Sequence, residues 1–207
     1  EKKFASAFRQ TVALDRRTGA EDVQMIQLGN MAMNNKEFGE ARKAFEYMLA
    51  KGETNPFFTQ AFLQNLHSSY MEFTLEFPND TAKGEALAQK FEKGLGFLGI
   101  SPATLTIIKE NAHLLAFYLN RADEAIEVLE KGLQIPRLKP EESGMLKTEM
   151  ADIYVYANDP WEATLIYSQV IDANKKNSLG DEVKLKKAKL GYYLGNFSWA
   201  KAQLDVL

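Results

Sequence analysis

The chain has no cysteine and only two histidines in 207 residues. Disulfides, thiol nucleophiles and cysteine-ligated zinc are therefore excluded, and compartment cannot be read from redox chemistry. Long apolar runs are missing too, so nothing approaches the roughly 20 residues that span a bilayer. Prolines number six and glycines 13, too few for collagen-like or linker-dominated material. A formal charge of −3 gives no global attraction to nucleic acid or anionic lipid. β-Branched residues are scarce: Val and Ile supply 7 and 9, against 24 each of Leu and Ala. That balance favours helices over strands.

The prolines punctuate. Asn55-Pro56, Ser101-Pro102 and Asp159-Pro160 each read as an N-cap followed by proline at the first helical position. After Asp159, Glu162 stands where it can complete a capping box. Pro78 and Pro136 follow apolar helical runs, and Pro140 opens the next. Between these marks apolar residues recur every three or four positions. Leu105, Ile108, Ala112, Leu115, Ala116 and Leu119 share one helical face, as do Ala122, Ala125, Ile126, Leu129 and Leu133. No stretch alternates with period two between hairpin turns. The pattern predicts an all-α chain with helices at 2–17, 21–34, 37–51, 57–76, 81–98, 102–119, 122–135, 140–157, 160–174, 179–194 and 197–207.

Taken in pairs, the helices repeat. Asn34–Ala41, Tyr118–Ala125, Tyr156–Ala163 and Tyr193–Ala200 each cross a polar turn and reach an alanine seven positions on. The last three alanines are 38 and 37 residues apart. Four residues beyond each alanine stands a larger apolar residue, Phe45, Leu129, Tyr167 or Leu204, and three further on Met48, Gly132, Val170 or Leu207. Twelve residues before the alanines come Gly29, Ala151 and Ala188, but His113 in the third pair. Small residues let paired helix axes approach while a bulky neighbour fills the adjoining hole.

These features resemble the tetratricopeptide repeat family, and Gly191–Leu204 looks most like its bacterial members. The resemblance implies a right-handed superhelical α-solenoid in which helix–turn–helix units stack because no single unit can bury its apolar face. Residues 1–207 then form one repeat domain: a leading helix 2–17 and pairs 21–51, 57–98, 102–135, 140–174 and 179–207. The repeats run longer than 34 residues, and pair 57–98 fits least well. The sequence opens without methionine and ends in mid-helix, which suggests a piece of a longer chain.

No enzyme motif is found. Gly94-Leu-Gly96-Phe-Leu-Gly99 has the letters of a dinucleotide fingerprint, but it follows a predicted helix rather than a strand, so a loosened helix end is expected and no cofactor. His67 and His113 lie on different predicted helices without further ligands, which argues against a metal site. His113 is expected at a helix contact or rim. Glu141 and Glu142 suit a helix start. The run Lys184–Lys189 reads as a solvated face, not a nucleic-acid site, for lack of interleaved aromatics. The sequons at Asn79 and Asn196 are taken as chance.

What remains is the groove. In the family, the first helix of each pair lines a concave surface that takes ligands. Carried over by register, the resemblance places Val23, Ile26, Asn30 and Asn34 there, then Ile107, Glu110, Leu114 and Tyr118. The fourth pair adds Met145, Thr148, Asp152 and Tyr156, and the fifth Glu182, Leu185, Lys189 and Tyr193. Tyr118, Tyr156 and Tyr193 would form a ladder of broad apolar area with polar tips. The lysine/asparagine clamp of some members is not reproduced, since only Asn30 matches and Ile26 stands where lysine is expected. The expected function is a non-catalytic scaffold binding a peptide or helix of a protein partner, without nucleic acid or membrane insertion. The alternative is a structural spacer or self-association module. Cytoplasm and bacterial envelope both fit.

Overall fold

The computed structural model describes residues 2–205. Among them every regular element is helical: α1 (Lys2–Thr18), α2 (Asp22–Asn34), α3 (Phe38–Leu49), α4 (Phe58–Glu76), α5 (Thr81–Leu98), α6 (Leu105–His113), α7 (Ala122–Leu133), α8 (Pro140–Tyr156), α9 (Pro160–Ala173), α10 (Ser178–Tyr193) and α11 (Phe197–Leu204). The chain is all-α; nine of the eleven expected helices appear within about two residues of their predicted ends, and α11 ends at Leu204. The final two residues of the expected helix 197–207, including Leu207, lie outside the described residues.

The expected helix 102–119 is the one that breaks up. It consists of a 3-10 turn at Pro102–Thr104, α6, and a π-helical segment at Leu114–Tyr118. A π turn holds one residue more than an α turn.

Two compact units divide the chain, Glu1–Gly99 and Ile100–Leu207. In the first, consecutive helices pack from α1 to α5. In the second, neighbours pack in sequence from α6 to α11, and α6 also touches α8 while α8 touches α10. Those alternate contacts mean that one hairpin lies on the next.

The repeated alanines sit where the helices close. Ala41, Ala125 and Ala163 are fully buried, and Ala200 nearly so. Before each, the chain leaves the preceding helix through a left-handed residue. Lys36, Asn120, Asn158 and Gly195, each five positions before its alanine, adopt left-handed backbone with φ of 60°, 55°, 64° and 80°. The next residue's N–H then returns to the preceding helix: Glu37 to Ala32 O, Asp159 to Tyr154 O, and Asn196 to Gly191 O, at 2.8–2.9 Å and five residues back. This is the six-to-one closure of a Schellman helix end. At Arg121 the N–H bonds Leu115 O, six residues back. The added residue is the one accommodated by the π segment.

That insertion accounts for His113. Counting through one extra residue, the small position of the third pair is Ala112, fully buried like Ala151 and all but equal to Ala188. The α4–α5 pair departs for a different reason. Its turn at 77–80 contains no left-handed residue, so α4 and α5 are joined by other geometry and the alanine register does not carry across them.

Several caps follow the side-chain chemistry. Asp80, Asp159 and Asn177 accept N–H bonds from Lys83, Glu162 and Gly180. Ser101 and Thr104 form a reciprocal capping box. Asn55, expected to cap α4, instead accepts from Phe57 N–H at 2.8 Å in a turn preceding the helix.

Candidate functional site

In the second unit, α6, α8 and α10 lie side by side through their alternate contacts, and polar pairs cross from each to the next. His113 Nδ1 on α6 lies 2.7 Å from Glu149 Oε1 on α8, and Lys109 Nζ is 3.8 Å from Oε2 of the same carboxylate. Glu149 is buried, 4% exposed, so these partners replace the water it loses. One turn along α8, Asp152 accepts from the Tyr167 hydroxyl and from Lys186 Nζ on α10, both at 2.5 Å. Burial, and then the bond to Asp152, push the Tyr167 hydroxyl well above the usual tyrosine range.

Apolar rings lie beside these pairs. Tyr156 is half exposed and packs edge-on against Phe117 with centroids 5.1 Å apart. Tyr118 faces the His113 ring of its own helix at 5.9 Å. Tyr193, 81% exposed, meets Tyr192 at 5.9 Å. Between α10 and α11 opens a cleft of about 470 Å³ whose walls include Leu185, Lys189, Tyr192, Tyr193, Phe197 and Leu204.

The expected groove positions divide. Met145, Asp152, Tyr156, Tyr118, Glu182, Leu185, Lys189 and Tyr193 reach solvent wholly or in part. Ile107, Glu110 and Leu114 do not: they are 2%, 8% and 0% exposed. The register used for them omitted the inserted residue, and shifting by one brings Thr106, Lys109 and His113 to the surface-facing positions. Thr148 is also interior, its hydroxyl donating to Gly144 O at 2.8 Å.

In the first unit, Ile26 is core rather than groove, 4% exposed among Met25, Ala41 and Phe45. Val23 is exposed. Asn30 and Asn34 line an open cleft of about 420 Å³ together with His67 and Met71 of α4. A polar cluster around the buried Asp15 ties α1 to the following hairpin. Asp15 accepts from Lys51 at 2.6 Å and from Tyr47 at 2.8 Å, while Lys51 also pairs with Asp22. The Lys51 hydrogen bond holds the Asp15 carboxyl below its ordinary range despite burial. Burial raises Tyr47, and it would lower Lys51 had the bonds from Asp15 and Asp22 not carried that ammonium upward.

Other motifs resolve into structure. Gly94 and Gly96 lie inside α5, with Gly94 facing Leu66 and Phe62, while Gly99 ends the helix at φ 75°. The lysine run is less solvated than expected: Lys184, Lys186 and Lys187 bond Asp181, Asp152 and Ser168. Among the described residues no three His, Asp or Glu side chains converge as a metal site, and no helix is long and apolar enough to cross a membrane. Glu149 is given no role by sequence and Lys186 reads only as part of a solvated lysine run; Tyr192 and Phe197 are given none. The signal for the first two was available in the near-miss at His113, where Ala112 stands next door.

No family model matches the chain, and no curated protein matches it in sequence. Its fold is similar to that in the crystal structure of BtubC (BKLC) from P. vanneervenii, with a TM-score of 0.70 over 99% of this chain and 87% of that one. The two are 16% identical, so the likeness concerns the fold.

Proposed function

We propose that this protein is a non-catalytic interaction module built from tetratricopeptide-like hairpins. In this reading the hairpins of each unit stack as solenoid repeats, and the face carried by α6, α8 and α10 receives a helix or extended peptide of another protein. The carrying observation is the exposure of Tyr192 and Tyr193 at the end of α10, where both line the α10–α11 cleft, together with half-exposed Tyr156 at the end of α8. Large contiguous apolar area on a soluble surface marks association sites, and tyrosine combines contact area with a hydrogen-bonding tip. The repeated left-handed turns and buried alanines support the hairpin stacking.

The test is crosslinking from cells of the source organism with Tyr118, Tyr156 and Tyr193 changed together to Ala. Loss of the partner recovered by the parent protein is expected. Unchanged recovery, with helicity and melting intact, would defeat the assignment of this face.

A further inference from the structure

The cross-helix pairs of the second unit obey a rule, and at α10 that rule is incomplete. Position by position, His113 of α6, Asp152 of α8 and Lys189 of α10 are equivalent once the inserted residue is counted. His113 meets Glu149 of the next first helix, and Asp152 meets Lys186 of the one after. Glu149 and Lys186 are themselves equivalent, each 14 residues before its hairpin alanine. Each pair joins a basic side-chain type to a carboxylate. Lys189 is exposed and has no acidic partner among the described residues, and the same holds for Lys201 across the cleft.

The apolar walls tell the same story. Tyr167 of α9 is 3% exposed, whereas its equivalent on α11, Leu204, is 47% exposed. Thr148 is 7% exposed, while its equivalent Leu185 is 39% exposed. In the preceding hairpin this surface is covered by α10, which lies against both α8 and α9. The helices that dock in this manner share a spacing. In α8, Leu146 and Ile153 are fully buried around Glu149; in α10, Val183 and Leu190 are buried around Lys186. Both read apolar-x-x-charge-x-x-x-apolar.

We propose that the α10–α11 cleft binds an amphipathic helix of a partner protein carrying apolar-x-x-(Asp/Glu)-x-x-x-apolar, its carboxylate seated between Lys189 and Lys201. This deepens, and rests on, the interaction-module reading above. A second copy docking through its own α1 is disfavoured by charge, since that helix carries Lys2, Lys3, Arg9, Arg16 and Arg17 against one Asp15.

The probe is a fluorescein-labelled 17-residue peptide with the sequence of Pro140–Tyr156, whose Glu149 already has the required spacing, titrated with the full chain and followed by anisotropy. Saturable binding is expected. Lys189→Glu in the protein, or Glu149→Lys in the peptide, should each weaken it about tenfold, and the two changes together should restore it. Lys189 is exposed, and circular dichroism checks that the variant folds. Absence of binding, or binding indifferent to both reversals, overturns the proposal. So does a dimer of the protein alone in sedimentation that Lys189→Glu dissolves, because a second copy would then be the occupant. None of these outcomes touches the tyrosine crosslinking, through which the broader reading stands or falls separately.

Discussion

The Phe45 ring occupies the space that a side chain on Gly29 would need: a Cβ built there lies 2.4 Å from the ring. Phe45 is fully buried, boxed in with Met25, Ala41 and Met48, so it cannot swing aside without opening the α2–α3 contact. Gly29→Ala would gain up to about 1 kcal/mol of helix propensity and lose more to overpacking. The expected net effect is destabilisation by about 1–2 kcal/mol, read as a lower urea midpoint at unchanged slope. A midpoint at or above the parent's would mean that the ring yields freely.

The second unit closes its hairpin on Ala163, the counterpart of Ala41. Ala163 is fully buried at the start of α9, where it packs under α8. Ala163→Phe should cost on the order of 1–3 kcal/mol by forcing the hairpin open. Thermal melting checks it, and a melting temperature equal to the parent's would place position 163 away from the helix contact.

Most of the helical pattern was legible because it rests on local chemistry: Asp159-Pro160 starts a helix in any context, and Ala125 or Ala163 must pack where larger residues cannot. Two features were hidden. The insertion in the third hairpin leaves the apolar spacing of 105–119 looking like an uninterrupted helix, since Leu114, Leu115 and Ala116 are all apolar and any of them can face the core. The π-helical segment and the Arg121 to Leu115 bond reveal the extra residue. Positions carried over through that stretch, Ile107, Glu110 and Leu114, therefore landed one place too deep. The second feature is partnership across helices. Glu149 and Lys186 look like surface charges in sequence, yet Glu149 is buried against His113 and Lys186 is part-buried against Asp152, partners 36 and 34 residues away.

The cluster at Asp15 makes the first unit sensitive to acid. Its folded carboxyl titrates below the ordinary value of 3.8, first because of the Lys51 hydrogen bond. A lowered folded value means that the stabilisation is complete above the unfolded value and is lost as pH falls through the folded one. Asp15→Asn should remove that acid-limb dependence and also destabilise at neutral pH. Lys51 keeps Asp22 as a partner, so the neutral-pH loss should be about 2 kcal/mol rather than the 3–5 typical of a fully orphaned buried ion. Urea midpoints measured between pH 3 and 7 decide it. Parallel curves for parent and variant would show that Asp15 does not carry the dependence.

Asp152 holds two donors at once, the Tyr167 hydroxyl from α9 and Lys186 from α10, and this predicts a particular non-additivity. Asp152→Ala leaves the buried Tyr167 hydroxyl without its acceptor, a desolvation cost of about 1–3 kcal/mol beyond the lost ion pair. Tyr167→Phe alone removes one donor and leaves the carboxylate paired with Lys186, which should cost less, about 1 kcal/mol. In the double variant the stranded hydroxyl no longer exists. Its destabilisation should therefore fall below the sum of the single changes by about 1 kcal/mol or more, the coupling expected of residues in direct contact. A cycle built from four denaturation curves measures that difference, and a strictly additive result would mean that Asp152 and Tyr167 do not share the bond.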